Sequence, residues 1–180
     1  MTILHSLSVN LLRILVTAMV ALVLPGCHES ESPAKPSIAD ANYPTNAQPR
    51  LATIPLYIGP ETLTTELAVT ARQQQTGMMF RTNIPEDEAM LFVYPQPQRV
   101  GFWMKNTSVP LSIAYIDRNG IIQEIYPLQP LNTNAVVSRS GQIQFMLETS
   151  QGWFQRKGIS TGAVIRTDRG SLARTFFPGR

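Results

Sequence analysis

The sequence predicts an α+β domain that is mostly antiparallel β, folded as a small barrel-like or closed sheet with two short helices. Short segments rich in β-branched and aromatic residues recur through residues 51–180, separated by Pro, Gly or Asn-Gly pairs. Only two stretches carry helix start and stop signals. The sequence shows neither an internal repeat nor a regular alternation of strands and helices, which argues against solenoids and parallel α/β folds.

The first predicted elements are two strands and a helix. Residues 54–59 and 63–69 are rich in side chains that favour strands. Thr70 then begins a short helix, because Thr70 and Gln73 have the spacing of a capping box. Gly77 is the residue type that commonly follows a helix C-terminus. The predicted domain therefore begins as strand, strand, short helix.

The middle of the chain predicts four further strands. Residues 89–94 (AMLFVY) form a short apolar run, as expected for a buried strand. Residues 100–105 follow after two prolines and alternate in character. Residues 111–116 and 121–126 flank an Asn-Gly pair, which is the strongest short-range signal for a β-hairpin. We therefore expect an antiparallel pair at this point.

The C-terminal third predicts strands around one more helix. Residues 142–148 alternate between apolar and mostly polar side chains, as in a strand with two different faces. A short helix is predicted from about 150 to 157, ended by Gly158. Residues 163–167 are predicted as a strand, and 172–177 are a candidate for one more.

The N-terminus resembles a bacterial lipoprotein signal. Arg13 is followed by eleven uncharged residues, 14–24, and a helix of that length covers about 16 Å, only half of a hydrocarbon core of about 30 Å. Residues 24–27 (LPGC) resemble a lipobox. This resemblance implies a signal peptide over 1–26 and acylation of Cys27. The alternative is a simple cleaved signal with an incidental cysteine.

A tether is predicted between Cys27 and the domain. Residues 28–50 are rich in Pro, Ser, Ala and Asn and lack apolar periodicity, so we expect 27–50 to be disordered. The lipid would make the membrane a partner of the chain. By resemblance to bacterial sorting signals, His28 favours the outer membrane, with the domain facing the periplasm.

Composition excludes several kinds of site. The chain has one cysteine and two histidines, and all three lie within residues 1–28. A zinc site of Cys/His type, a cysteine nucleophile and a histidine-based triad are therefore excluded from residues 51–180. We expect no metal and no cofactor. The formal net charge of +3 is spread without runs of like charge, and nucleic acid is not expected as a partner after export.

Five residues are candidates for a ligand-binding site. Alternation along one predicted strand places Trp103 and Lys105 on the same side, next to Asn106. Arg81 begins a predicted loop, and Glu148 ends a predicted strand. We hypothesise that the five converge on one concave surface, because an aromatic ring beside amide, basic and acidic groups suits a sugar or a small anion. The expected partner is thus an envelope glycan, a small anion or a protein.

Four of the five candidates also have a structural alternative. Trp103 is more often a core residue than a binding surface. Arg81 has acidic residues at 86–88 as nearby ion-pair partners. Glu148 precedes a predicted helix and would favour its positive end. Asn106 would satisfy backbone groups in a turn.

Two other functions remain open. One is a hydrolase of envelope carbohydrate that uses Glu148 as its acid. Such enzymes need two carboxyl groups about 5–9.5 Å apart, and no second acid has an equally distinctive position. A pair of Lys105 with Ser108 or Ser112 would need a strained serine turn, which the sequence does not show. The other is a structural or protein-interaction domain.

Several short sequence strings resemble, in their order and spacing, the motifs of one family. They are Gly77-Met78-Met79-Phe80-Arg81, Ala89-Met90-Leu91-Phe92-Val93-Tyr94, Phe102-Trp103-Met104-Lys105-Asn106-Thr107, Pro110-Leu111, Asp117 with Gly120, Leu147-Glu148, Gly152 and Gly158-Ile159. This pattern resembles domain of unknown function 192 over about 63–167. The resemblance implies a compact α+β fold that is often exported, and it supplies no established activity. Ser112 and Ala163 stand where the family often has acidic residues.

Overall fold

The computed structural model describes residues 43–179, which form ten β-strands and three short helices. In chain order the elements are β1 (Thr53–Ile58), β2 (Glu61–Ala68), α1 (Ala71–Thr76), β3 (Glu88–Gln98), β4 (Gly101–Phe102), β5 (Leu111–Asp117), β6 (Ile122–Leu128), β7 (Val136–Val137), β8 (Ile143–Ser150), α2 (Trp153–Arg156), β9 (Ile165–Thr167), β10 (Gly170–Ser171) and α3 (Leu172–Phe176). The predicted signal peptide and Cys27 lie outside the described residues.

Eight strands form one mixed sheet in the order β10-β9-β1-β2-β3-β8-β5-β6. All neighbours run antiparallel except β2 and β3, which are parallel and are joined through α1. β4 and β7 form a separate antiparallel pair. Within the described residues, no helix is long and apolar enough to cross a membrane.

The α+β class agrees with this architecture, but the predicted barrel-like or closed sheet is wrong. A barrel needs a continuous ladder between its outermost strands. Here the edge strand β6 is linked to β9, which is not the opposite edge strand, by an isolated bridge between Ile121 and Val164 that does not extend into a ladder. β9 and β10 have only three and two residues, and the chain then turns into α3. The sheet therefore stays open.

Local capping explains which helices form. The capping box at α1 is confirmed, since Thr70 Oγ1 accepts the Gln73 N–H at 3.2 Å and Gln73 Oε1 accepts the Thr70 N–H at 2.9 Å. The prediction of a strand at 172–177 is wrong, because these residues form α3. Ser171 caps that helix by accepting the Arg174 N–H at 3.2 Å. The prediction of two helices therefore missed one.

Of the predicted strand 100–105, only the two residues of β4 form a strand. Beyond it, the Thr107 N–H donates to the Met104 carbonyl at 3.0 Å and closes a turn. Asn106 within this turn has a φ of 56°, in the left-handed region that few residues other than glycine adopt. The Phe-Trp-Met-Lys-Asn-Thr string is therefore mostly loop.

Three central strands, β3, β5 and β8, are covered on both faces. One apolar cluster includes Leu91 and Phe145 and packs against α2 and α3. The second includes Phe92 and Met146 and lies under the loops that follow α1 and β4. The predicted alternation along 142–148 thus separates two buried faces, not a buried face from a solvated one. Glu148, two residues after Met146, lies within this buried stretch.

Residues 43–51, here called the strap, have no regular secondary structure but contact the domain. Gln48 Nε2 donates to the Gly77 carbonyl at 2.8 Å and to the Gln73 carbonyl at 3.2 Å. The Leu51 N–H donates to Glu66 Oε2 at 2.8 Å. The part of the predicted tether before residue 43 lies outside the described residues.

Candidate functional site

A cavity of about 220 Å³ opens beside the second apolar cluster. The end of α1 and the turn after it form one wall, and residues 101–103 form another. Tyr94, Thr107 and Glu148 complete the lining. Apolar and polar side chains therefore share the cavity surface.

Glu148 is the buried acid of this cavity. It lies on β8 between Met90 of β3 and Ile113 of β5, and only 1% of its surface is exposed. Its Oε2 atom has no hydrogen-bond partner within the described chain. Burial raises the pKa of Glu148 to about 8, against the opposing charge of Arg81. At neutral pH this side chain is therefore mostly a neutral carboxylic acid that can donate a hydrogen bond.

Trp103 is a surface residue of the cavity wall and not part of the core. It is 40% exposed, and its ring meets the Tyr43 ring edge-on with 6.2 Å between centroids. Lys105 Nζ lies 3.8 Å from the centroid of Tyr43 and 5.6 Å from that of Trp103. These three side chains form the rim of the cavity.

Arg81 has its own partner and does not line the cavity. Its guanidinium binds Glu66 through two hydrogen bonds of 2.7 and 2.8 Å, and its side chain is 12% exposed. Burial raises the pKa of Glu66, but the hydrogen bonds from Arg81 and Leu51 and the nearby positive charges outweigh it and hold that pKa below its usual range. The alternative pairing of Arg81 with residues 86–88 is not seen. Arg81 acts on Glu148 only through its charge.

Asn106 contributes through its backbone. Its carbonyl accepts the Phe80 N–H at 2.8 Å, and the neighbouring Thr107 carbonyl accepts the Leu131 N–H at 2.9 Å. Phe80, Asn106 and Leu131 all have positive φ, near 60°. Three left-handed residues held together in this way store strain, which concentrates at functional sites.

The structure thus divides the five predicted residues into three groups. Trp103 and Glu148 line the cavity, Lys105 stands at its rim, and Arg81 and Asn106 hold loops beside it. The convergence of all five on one ligand remains a prediction.

Sequence reasoning missed other parts of the lining. Tyr94 has a pKa raised by burial and by the charge of Glu148. Gln74, on α1, donates to the carbonyls of Ala68 and Val93 and so fixes the helix against the sheet. Thr107 also faces the cavity. Tyr94 and Thr107 lie in the motif strings already singled out, so their position in the strings was the available signal.

The acidic residues of the described chain do not form a metal site. No group of three or more His, Cys, Asp or Glu side chains within residues 43–179 could hold a metal ion. Glu148 is also the sole carboxyl group among the described residues that line this cavity. A paired-carboxylate mechanism therefore finds no second acid in it.

Comparison with solved structures finds similar folds. A provisionally assigned transcription regulator of Sinorhizobium meliloti is 29% identical, with a TM-score of 0.64, and the match covers 67% of this chain and 97% of that one. A protein of unknown function from Novosphingobium aromaticivorans is 27% identical, with a TM-score of 0.63, over 73% of this chain and 98% of that one. No curated protein matches the chain.

The sequence profile of one family matches residues 56–167, from β1 to the end of β9. Its description is "Uncharacterized ACR". The matched region spans more than half of the chain and contains Trp103, Glu148 and the rest of the cavity lining. This protein belongs to the family of domain of unknown function 192.

Proposed function

We propose that the domain is a ligand-binding module whose cavity takes the neutral, hydroxyl-bearing part of a ligand, such as one sugar ring of an envelope glycan. The observation that carries the proposal is Glu148, a fully buried carboxyl group at a cavity whose Oε2 atom has no hydrogen-bond partner among residues 43–179. Leaving such an atom without a hydrogen bond is costly, and a hydroxyl group of a ligand would supply the bond.

The cavity favours an uncharged ligand of modest size. Its volume of about 220 Å³ lies below the roughly 300–1,000 Å³ of sites for drug-sized molecules. An anion placed on Glu148 would be repelled once this carboxyl group ionises as the pH rises. A purely apolar ligand would leave that group unpaired, whereas a sugar offers hydroxyl groups to Glu148 and an apolar ring face to Trp103.

Two other functions fit the site less well. A raised pKa would suit Glu148 as the acid of a hydrolase, but a glycosidase needs a partner carboxyl that the described cavity lacks. The provisional assignment of the S. meliloti neighbour would suggest a nucleic-acid partner. A neutral acid in a small cavity is a poor contact for phosphate groups, whose recognition relies on Lys and Arg.

We expect a neutral monosaccharide to stabilise the protein and to change the fluorescence of Trp103. The test is a thermal-shift and fluorescence titration of the full chain with glucose, N-acetylglucosamine and galactose. Ligand at 100 times its Kd adds about 2.7 kcal/mol of stability.

Trp103→Ala should abolish the thermal shift, which does not depend on the fluorescence of this residue, and Tyr57→Ala serves as its control. Tyr57 is similarly exposed, at 39%, but lies on β1 outside the cavity lining. If none of the sugars shifts the wild-type protein, or if W103A responds as well as wild type, the cavity is not the proposed site.

We also propose that Cys27 carries the lipid that holds the domain at the membrane. The support is the LPGC string after the apolar stretch 14–24. When the protein is expressed in a bacterial host that is supplied with radioactive palmitate, the wild type should be labelled and the variant Cys27→Ser should not. Label that persists in C27S would refute the assignment, and an alanine substitution at the nearby Ser30 should leave labelling intact.

A further inference from the structure

The rim of the cavity holds a cation, Lys105, that is not paired with an acidic side chain of the described region. Among the described residues, no carboxylate forms an ion pair with Lys105. Its ammonium group instead lies over Tyr43, 3.8 Å from the ring centroid, with Trp103 as a second aromatic neighbour. A cation–π contact of this kind partly replaces the negative charge that an ammonium group prefers.

The strap brings Tyr43 to this position. Gln48 binds two carbonyl groups at the end of α1, and one of them belongs to Gly77, a residue of the cavity wall. The strap therefore follows the cavity wall and ends at the rim.

Tyr43 is an imperfect occupant of the rim. Its ring contacts Trp103 and Lys105, but its hydroxyl oxygen is buried without a hydrogen-bond partner in the described chain. Burial also raises the pKa of this hydroxyl group. Because an unpartnered buried hydroxyl is unfavourable, a ligand group that pairs with Lys105 can displace the ring at modest cost.

We propose that Trp103 and Lys105 form an outer subsite for an anionic group of the ligand, and that Tyr43 occupies this subsite until the ligand replaces it. This inference rests on the proposed function, since the neutral part of the same ligand would lie on Glu148. The anionic group is a carboxylate or a phosphate, both of which pair with a lysine ammonium.

Occupation by Tyr43 lowers the apparent affinity for an anionic ligand. The protein binds such a ligand only in the fraction of molecules whose subsite is free. Removal of the Tyr43 ring frees the subsite in every molecule. A neutral sugar does not need Lys105, so its affinity should stay unchanged.

The test measures the binding of glucose, glucuronic acid and glucose 6-phosphate to the full-length protein by calorimetry. Tyr43→Ala should bind one or both of the anionic sugars about tenfold more tightly than wild type, equivalent to about 1.4 kcal/mol. Glucuronic acid and glucose 6-phosphate separate a carboxylate preference from a phosphate preference. Adding Lys105→Gln to Y43A should remove the gain. Tyr57→Ala is the matched control.

Iodide quenching tests the subsite without any sugar. Trp153 is buried, so the quenchable signal comes from Trp103. Y43A should raise the quenching constant, because loss of the Tyr43 ring exposes more of Trp103 and frees Lys105 to attract iodide. Gln48→Ala, which removes two hydrogen bonds of the strap without substituting any residue of the rim, should act in the same direction. K105Q should lower iodide quenching in the Y43A background.

The outcomes separate the two proposals. If glucose binds but Y43A and K105Q change no affinity for the anionic sugars, the outer subsite is refuted and the inner cavity stands. If no sugar binds any variant, the proposed function fails, and the iodide result alone decides whether Lys105 and Tyr43 form an anion subsite. Equal quenching of Y43A and wild type would overturn the role of Tyr43.

Discussion

Glu148→Gln is expected to stabilise the folded domain at pH 8 by on the order of 4 kcal/mol. The side chain is fully buried, and burial raises its pKa from 4.5 to about 8. Between these values the unfolded chain releases the proton and the folded chain keeps it. Each pH unit in this window therefore lowers the free energy of unfolding by about 1.4 kcal/mol. A glutamine has no proton to lose and removes this dependence.

Urea unfolding of wild type and E148Q at pH 4.5, 6, 7 and 8.5 measures the effect. The two proteins should have similar stabilities at pH 4.5 and diverge as the pH rises, with E148Q the more stable. Glu61→Gln is a control, since Glu61 is partly exposed and pairs with Lys157 at 2.9 Å. If wild-type and E148Q stabilities run parallel across this range, Glu148 does not have the raised pKa that burial implies.

Arg81→Met should destabilise the domain by about 3 kcal/mol or more at pH 7, because it leaves the buried Glu66 carboxylate without its bidentate partner. Methionine keeps the aliphatic bulk of the arginine stem. Arg50 lies 3.4 Å from Glu66 but is mostly exposed and pairs mainly with Glu88, so its compensation is weak. Chemical unfolding measures the loss.

A second substitution distinguishes charge from packing in this pair. Glu66→Gln in the R81M background removes the buried charge and should recover part of the stability, whereas lost packing would not be recovered. Arg156→Met is the matched control, because it breaks an exposed pair with Glu86 that should contribute less than about 1 kcal/mol. The lowered pKa of Glu66 adds a pH signature. Wild type should lose stability as acid protonates Glu66 through its folded pKa, and R81M should lose less.

Local signals predicted much of the fold. The capping box at Thr70 formed as expected, and so did the hairpin at 117–121, where Asp117 Oδ1 accepts the N–H groups of Asn119 and Ile121 at 2.8 and 2.9 Å. The apolar run 89–94 became part of β3. In each case neighbouring residues contain the whole interaction, so the sequence can reveal it.

Features that depend on distant partners were not predictable in the same way. Residues 172–177 form a helix that packs Phe176 on the distant Phe145, although the cap at Ser171 was a local signal that the strand prediction missed. The pair of Arg81 with Glu66 joins residues fifteen positions apart, and nearer acids were equally plausible partners. No feature of the sequence predicted that the strap would place Tyr43 at the rim of the cavity.

The candidate site, like the fold, was predictable only in part. The motif strings drew attention to Trp103, Lys105 and Glu148, and these do lie in or beside one cavity. The different roles of these three residues depend on how deeply each side chain is buried, which a local sequence pattern does not indicate. Glu148 is almost fully buried in the sheet at the cavity wall, while Trp103 remains on the surface.

The pairing of β1 with β9 has a consequence for how the chain folds. Tyr57 faces Arg166 in this ladder, so the sheet joins residues from opposite ends of the domain. Contacts between residues so far apart along the chain slow folding, because a long loop must close before they form. A polypeptide that emerges from its N-terminus cannot complete the sheet until β9 and β10 have been synthesised. We therefore expect the sheet to form cooperatively, because β1 can pair with β2 early but its other edge stays unpaired until β9 is available.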